Sequence, residues 1–265
     1  MFSVTSAQLN ALLGAYLWPF FRILALLATA PVFGQPNVSV QVKLGLGALL
    51  TIIIEPTLGP MPDVTVGSAA GLMVAAQQIL IGVSIGLVMQ VVFAAVEAAG
   101  EFAGLQMGLS FAQLITPTAQ GGATAVLSNL LNVIGTLIFL SVNGHLRMLS
   151  ALMDTFTTLP ISLDPIRGRG WETVAAWGST IFAGGLMLAL PLVAALLMAN
   201  LALGILNRAA PQVGVYQVGF AITLLTGLIV LDLSLPSMLP LILELMDRAY
   251  DTISATMGGF GGVPL

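Results

Sequence analysis

The stretch GVSIGLVMQVVFAAVEAAGEFAGLQMG, residues 82–108, decides what kind of fold this chain can form. Wound at about 100° per residue, it brings Gly82, Gly86, Gln90, Phe93, Glu97, Gly100, Glu101, Gly104 and Gly108 into one arc. That arc is small and polar and continues for about seven turns. Small residues at four-residue spacing let helix backbones approach closely. The face has two readings. Gly82, Gly86, Gly100, Gly104 and Gly108 can form a tight helix–helix seam that ends in two solvated carboxylates, or the face can line a polar conduit. Glu97 and Glu101 are like charges one turn apart, which is mildly unfavourable, so they are expected to face water, a cation or a basic partner.

The rest of the chain sets that helix in an apolar context. Of 265 residues, 58% are hydrophobic and 7% charged, against about 25% charged in a soluble domain. Mean hydropathy is +1.05. Too few charges are present to cover a water-facing surface, so an all-α, hydrophobic multi-helix membrane protein is expected. The absence of cysteine excludes disulfides, thiolate nucleophiles and thiolate metal sites. Seven scattered basic residues form no nucleic-acid patch. The N-terminal run does not read as a cleavable signal peptide, because its first charge is Arg22, inside the run.

A spanning helix needs about 20 mostly apolar residues. Working outward, the runs extend over about Leu9–Phe33, Val42–Ile54, Gly67–Val96, Ala123–Met153, Thr173–Leu206 and Val213–Leu235. The second is short unless it begins near Pro36. An amphipathic helix, Ser237–Met257, follows and ends in the glycine-rich 258–262, which reads as a frayed tail. Pro19 and Pro191 are expected to bend or break their helices. Pro56, Pro60 and Pro62 make a rigid link, and Ile166–Gly170 a polar loop. Basic residues do not alternate cleanly between successive connections. Either some runs do not cross a bilayer or the bias is too weakly sampled.

Several residues break the apolar pattern. An arginine near a helix centre is unfavourable by about 2.5–3.5 kcal/mol on insertion scales. Arg22 is therefore expected to be buried in protein or paired, with a carboxylate or with helix-end carbonyls; a direct transport role is the alternative. Residues 109–122 contain Pro117, Gly121, Gly122 and many small polar side chains, so the helix is expected to end near Thr116. An uncharged apolar loop has to be buried in protein or plug a cavity. His145 is the only histidine and cannot build a metal site alone; it reads as a hydrogen-bonded interfacial side chain. Asp154 and Asp232 read as single carboxylates at helix ends. No nucleotide fingerprint or nucleophile elbow is present, so no cofactor, metal or catalytic residue is indicated.

The block from Gly100 to Ser110, GEFAGLQMGLS, resembles the FliR family, the R/T-type subunit of the type III secretion export gate. Other blocks agree in order. They are Arg22 with Ala30-Pro31-Val32-Phe33-Gly34; Asn143-Gly144-His145 with Leu149, Leu152, Asp154, Phe156 and Leu159-Pro160-Ile161; and Leu190-Pro191, Asn200–Gly204 and Asn207–Gln212. Together they cover residues 22–220. Val213–Tyr216 stands where an Asn- and Phe-containing variant is expected, a departure that bears on subtype. The spacing of Asp154, Phe156 and Leu159-Pro160 leans toward the flagellar branch over the virulence branch.

The resemblance implies a fold like a fusion of a P-like part (about 1–172) and a Q-like part (about 173–265). It implies assembly with P-type and Q-type subunits and with cytoplasmic-side export-gate subunits, in contact with lipid of the bacterial inner membrane within the basal body. Unfolded protein substrates would pass through the centre. It places Gln106, Met107, Leu109, Ser110 and Phe111 at or near the channel and Leu114, Ile115, Thr116 and Pro117 in a plug loop. A conventional polytopic secondary transporter using Arg22, Glu97 and Glu101, and an intramembrane enzyme, are the alternatives read from the residues. A transporter would be expected to show a second copy of the 82–108 face, and none is present.

Overall fold

The apolar runs of the sequence become long helices whose ends are set by local chemistry. A computed structural model of the chain describes residues 5–109, 123–209 and 215–261. Among these are eight α-helices and no strand, so the all-α expectation holds. They are α1 (Ser6–Thr29), α2 (Val40–Ile54), α3 (Ala69–Gln106), α4 (Ala123–Ser141), α5 (Gly144–Thr158), α6 (Arg169–Trp177), α7 (Thr180–Ala209) and α8 (Val215–Gly261). Helix α1 starts with a capping box: the Gln8 amide donates to Thr5 Oγ1 (3.3 Å) and the Thr5 amide to Gln8 Oε1 (3.0 Å), which satisfies two otherwise orphan donors. Helix α2 starts at the Ser39 cap and is extended by a short 3₁₀ turn, Glu55–Thr57, to the 18 residues Val40–Thr57.

Several boundaries differ from the sequence expectation. Pro19 and Pro191 each sit inside a continuous helix and break neither; in membrane helices, neighbouring groups can take over the carbonyl that a proline leaves unbonded. The expected sixth and seventh helices are one helix, α8, which runs through Pro236 and Pro240. Asp232 therefore lies mid-helix rather than at an end. The tail near Gly258 is not frayed. Phe260 is 1% exposed, its ring meets Trp171 edge-on at 5.4 Å, and its carbonyl accepts from the Arg167 amide at 3.1 Å. The expected fourth run is interrupted at Asn143, whose φ of 56° is left-handed. Asn-Gly is a turn dipeptide, and here it ends α4 and starts α5.

Backbone packing groups the chain into two compact units, each built from segments distant in sequence. The first comprises Met1–Gln90, Val142–Gly178 and Arg248–Leu265; the second comprises Val91–Ser141 and Ser179–Asp247. In the first unit, α1 packs on α3 where glycines remove the side chain: Gly82 faces the Arg22 carbonyl and Ala25, and Gly86 faces Thr29. Trp18, Ile23, Leu26, Ile81, Ile85, Met148 and Leu152 complete this core. The Trp177 indole donates to the Val88 carbonyl at 2.9 Å, and Tyr250 Oη to the Gly144 carbonyl at 2.8 Å.

In the second unit, α3 meets α4 at Gly100, where a Cβ would lie 2.5 Å from the Ser128 Cα. It meets α7 at Gly185, where a Cβ would lie 2.9 Å from that of Ala98. Phe93 and Phe139 pack edge to face, with centroids 5.6 Å apart. Among the described residues, five helical stretches are long and apolar enough to cross a membrane: Gln8–Thr29, Val40–Thr57, Ala69–Gln106, Arg169–Ala209 and Gly219–Gly261. A sixth is possible if Val126–Ser141 and Gly144–Thr158 make one span.

The glycine contacts give a signed test. Alanine at Gly45, where nothing lies within 4 Å of the added Cβ, relieves the glycine penalty and is expected to stabilise by about 0.5–1 kcal/mol. Alanine at Gly100 forces α3 from α4 and is expected to destabilise by about 1–3 kcal/mol. Unfolding midpoints in detergent check this; equal midpoints for the two variants would remove the close-contact argument.

Candidate functional site

Helix α3 carries most of the residues singled out from sequence, and its C-terminal end is built from backbone chemistry. The helix stops at Gln106, ten residues before the expected end at Thr116. Gly108 adopts φ 79°, the left-handed conformation that glycine accepts without steric penalty. The Leu109 amide then donates to the Gly104 carbonyl (3.1 Å) and the Gly108 amide to the Leu105 carbonyl (3.1 Å). This pair of bonds is the Schellman stop. Gly108 is thus the helix terminator and not part of the seam, a correction to its reading as one more small residue on the face.

The chain around this stop is anchored on α8. Met107 is 1% exposed. Gly227 has no room for a Cβ because the Met107 side chain occupies that place. Thr223 Oγ1 lies 3.3 Å from the Met107 carbonyl and 3.0 Å from that of Phe220. Gln106 and Leu109 are half-buried, and Leu105 is exposed. Of the positions expected at the channel, Met107 therefore points into its own unit. Ser110, Phe111, Leu114, Ile115, Thr116 and Pro117 lie outside the described residues.

The arc of small and polar residues divides in the structure. Gly82, Gly86, Phe93, Gly100 and Gly104 are buried, while Gln90, Glu97 and Glu101 are exposed. The two carboxylates thus stand on the surface of α3. Glu97 and Glu101, expected to face water, a cation or a basic partner, lie toward the edge of the arc, away from its buried glycines.

Arg22 is fully buried at 0% exposure. Its Nε donates to Gln78 Oε1 of α3 at 2.8 Å. Nη1 donates to the carbonyl and the hydroxyl oxygen of Thr155 at 3.0 and 3.1 Å, and Nη2 to the Leu159 carbonyl at 3.0 Å. The guanidinium lies 4.3 Å from the centre of the Phe156 ring. It therefore closes the C-terminal end of α5, where carbonyls lack intrahelical donors and the helix dipole favours a cation. Of the two kinds of pairing expected, helix-end carbonyls are the one found. Gln78, Thr155 and Leu159 could not be picked out from sequence, because the bonded residues are 56, 133 and 137 positions from Arg22.

His145 is half-buried, and its Nδ1 has no hydrogen-bond partner among the described residues, where a hydrogen-bonded imidazole was expected. No group of three or more metal-ligating side chains is found among those residues. In the first unit a cavity of about 420 Å³ lies between α5 and α8, lined by Arg147, Ser150, Asp154, Thr158, Tyr250 and Met257 among others. Among the described residues, Asp154 is the carboxylate that lines it, and Arg147 stacks on the Tyr250 ring at 4.4 Å.

The profile of the bacterial export proteins, family 1, matches residues 13–249. The chain belongs to this family. It is 47% identical over 239 residues to the flagellar biosynthetic protein FliR of Pectobacterium carotovorum subsp. carotovorum, covering 90% of this chain and 91% of that protein. It is 44% identical over 254 residues to the FliR protein of Escherichia coli strain K12, covering 96% and 97%. It is 32% identical over 219 residues to that of Aquifex aeolicus strain VF5, covering 82% and 83%. The resemblance read from residues 22–220 is therefore correct. Family membership fits the membrane-length helices, and the match takes in both Arg22 and the α3 stop.

Arg22→Met leaves the Gln78 and Leu159 oxygens without their donors, each worth about 1–3 kcal/mol when buried and unsatisfied. It is expected to lower the detergent unfolding midpoint clearly, and Arg22→Lys to lower it less, since an ammonium is a donor of the same charge without the fork. A methionine variant as stable as wild type would show that these bonds do not hold α5 in place.

Proposed function

We propose that the chain is a core subunit of the flagellar type III protein export gate, set in the bacterial inner membrane within the basal body. It contributes part of the channel and its plug, through which unfolded proteins are exported. The observation that carries this reading is the apolar surface of helices longer than a bilayer. Helix α8 has 47 residues and is about 70 Å long at 1.5 Å per residue, whereas the hydrocarbon core is about 30 Å thick. Phe182, Leu201 and Leu233 are 71%, 68% and 73% exposed in the chain by itself. Apolar surface on helices that outrun the lipid needs protein cover, and P-type and Q-type subunits, with the cytoplasmic-side gate subunits, supply it. The P-like and Q-like parts, about 1–172 and 173–265, are the portions that resemble those partners. The relatives named flagellar biosynthetic proteins support the flagellar setting over the virulence one.

In this reading Gln106, Leu109, Ser110 and Phe111 lie at or beside the channel, and Leu114, Ile115, Thr116 and Pro117 belong to the plug loop. An apolar segment seals a narrow pore by excluding water. The part played is structural and not enzymatic. The transporter alternative loses its cation, because Arg22 is fully buried and bonded to oxygens of α3 and the end of α5.

Co-expression with P-type and Q-type subunits is expected to give a complex that survives purification. Recovery of a well-folded monomer with no affinity for either would sink the assignment. Deleting residues 111–122 is expected to raise the ion leak of cells or liposomes carrying the assembled gate; unchanged conductance would remove the plug role.

A further inference from the structure

Over residues 215–243, α8 carries one charged side chain, Asp232. At about 100° per residue, Leu225, Leu228, Ile229, Pro236 and Leu239 share its face, and all of them are exposed with it. The opposite side of the helix, with Thr223, Gly227, Leu231, Ser234 and Met238, is buried. No hydrogen bond or ion pair of the Asp232 side chain is found among the described residues. The backbone adds acceptors to the same face. In an α-helix each carbonyl accepts from the amide four residues on, but residues 236 and 240 are prolines and have no N–H to give. The carbonyls of Asp232 and Pro236 are thereby left without their helical donors. The nearby hydroxyls do not replace them: Ser234 Oγ donates to the Leu231 carbonyl (3.0 Å) and Ser237 Oγ to the Ser234 carbonyl (2.8 Å).

This face cannot be matched by lipid, which offers no donor to a carbonyl and disfavours a carboxylate. Water would have to cover its aliphatic side chains. An apolar helix bearing a donor-rich cation satisfies both requirements. A second copy of this chain does not, since two copies joined through the face would set Asp232 against Asp232, and like charges opposed in an interface disfavour it. The second unit as a whole carries Glu97, Glu101, Asp232, Glu244 and Asp247 against Arg208, so its charge also favours a basic partner.

We propose that the Asp232 face of α8 is a docking surface for an apolar helix of a different gate subunit, which sets an arginine or lysine against the carboxylate. The proposal rests on the reading of the chain as an export-gate subunit. The cation bonds the carboxylate and reaches the carbonyls that the prolines leave open; a guanidinium, with several N–H donors in a fixed fork, has enough for both. The pair also fixes the register of the two helices, because sliding by one turn leaves both charges buried and unpaired.

The test uses the chain co-expressed with P-type and Q-type subunits. Recovery of the complex is the readout, and the detergent unfolding midpoint of the chain alone checks folding. Asp232→Leu and Asp232→Lys are expected to leave that midpoint unchanged and to lower recovery several-fold, the lysine variant more. A photo-crosslinking amino acid at position 228 is expected to attach to a partner helix within two turns of a lysine or arginine. Changing that residue to glutamate is expected to restore recovery of Asp232→Lys. Recovery of Asp232→Leu at or above wild type would overturn the proposal, as would crosslinks only to lipid or to a second copy of this chain, or to a helix without a basic residue. Should a substitution move the midpoint, the crosslink decides by itself. A wild-type chain that joins neither subunit sinks the gate reading, whereas a wild-type complex indifferent to Asp232 removes only this contact.

Discussion

A guanidinium fully excluded from solvent has to find its hydrogen bonds inside the protein. In this chain that requirement ties three helices together. Arg22 stands on α1, takes one acceptor from α3 and the rest from the end of α5. No carboxylate is among these partners. Neutral acceptors leave the site with a net positive charge, and the aromatic face of Phe156 and the negative end of the α5 dipole are what compensate it. The arrangement resolves two problems at once, since the Leu159 carbonyl lies at the end of α5, where intrahelical donors run out. It further explains the glycines opposite. The α1 backbone at Arg22 can lie against α3 only because Gly82 has no side chain, and this closeness lets a side chain on α1 reach Gln78.

The fold class and the family were legible because both rest on short-range information. A run of about 20 apolar residues declares a spanning helix wherever it lies, and ordered blocks such as Gly100–Ser110 identify relatives. Helix ends were less legible. Glycines at 82, 86, 100, 104 and 108 share a face and look alike in a sequence, yet they do different things. The first two clear space for α1, Gly100 clears space for α4, and Gly108 stops the helix. The distinction depends on what approaches each one, and helix periodicity carries no information about the approaching element. Prolines misled in the opposite direction. Pro19, Pro191, Pro236 and Pro240 all lie within continuous helices, because packing around an apolar helix can outweigh the loss of one backbone bond. Asn143-Gly144, a weaker breaker by rank, ends a helix where these prolines do not.

Site residues divide by the same logic. Arg22 could be flagged from sequence, since a charge in an apolar helix needs an explanation. Its partners could not, because they are contributed from segments more than 50 residues away. Family likeness puts Met107 at or near the channel only as an expectation. Its orientation could not be read, because that depends on Gly227, a residue with no distinguishing pattern around it. A glycine that matters for the side chain it admits is recognisable only from the partner's position.

Hydropathy alone does not say what covers an apolar helix. Helices α3 and α2 both pass as membrane spans, but 61% of the most apolar window of Ala69–Gln106 is buried within the chain, against 17% of that of Val40–Thr57. For α3 the apolar surface is largely consumed internally, which is why it can carry close contacts to α1, α4 and α7 along its length. The Gly219–Gly261 stretch is 28% buried over its window and yet far longer than a bilayer is thick. Lipid can cover about 20 residues of such a helix, and the remainder has either to meet protein or to expose apolar side chains to water. Exposure at that scale would drive association. A helix with this distribution of surface therefore needs cover beyond the thickness of a bilayer, and in the proposed gate neighbouring subunits supply it.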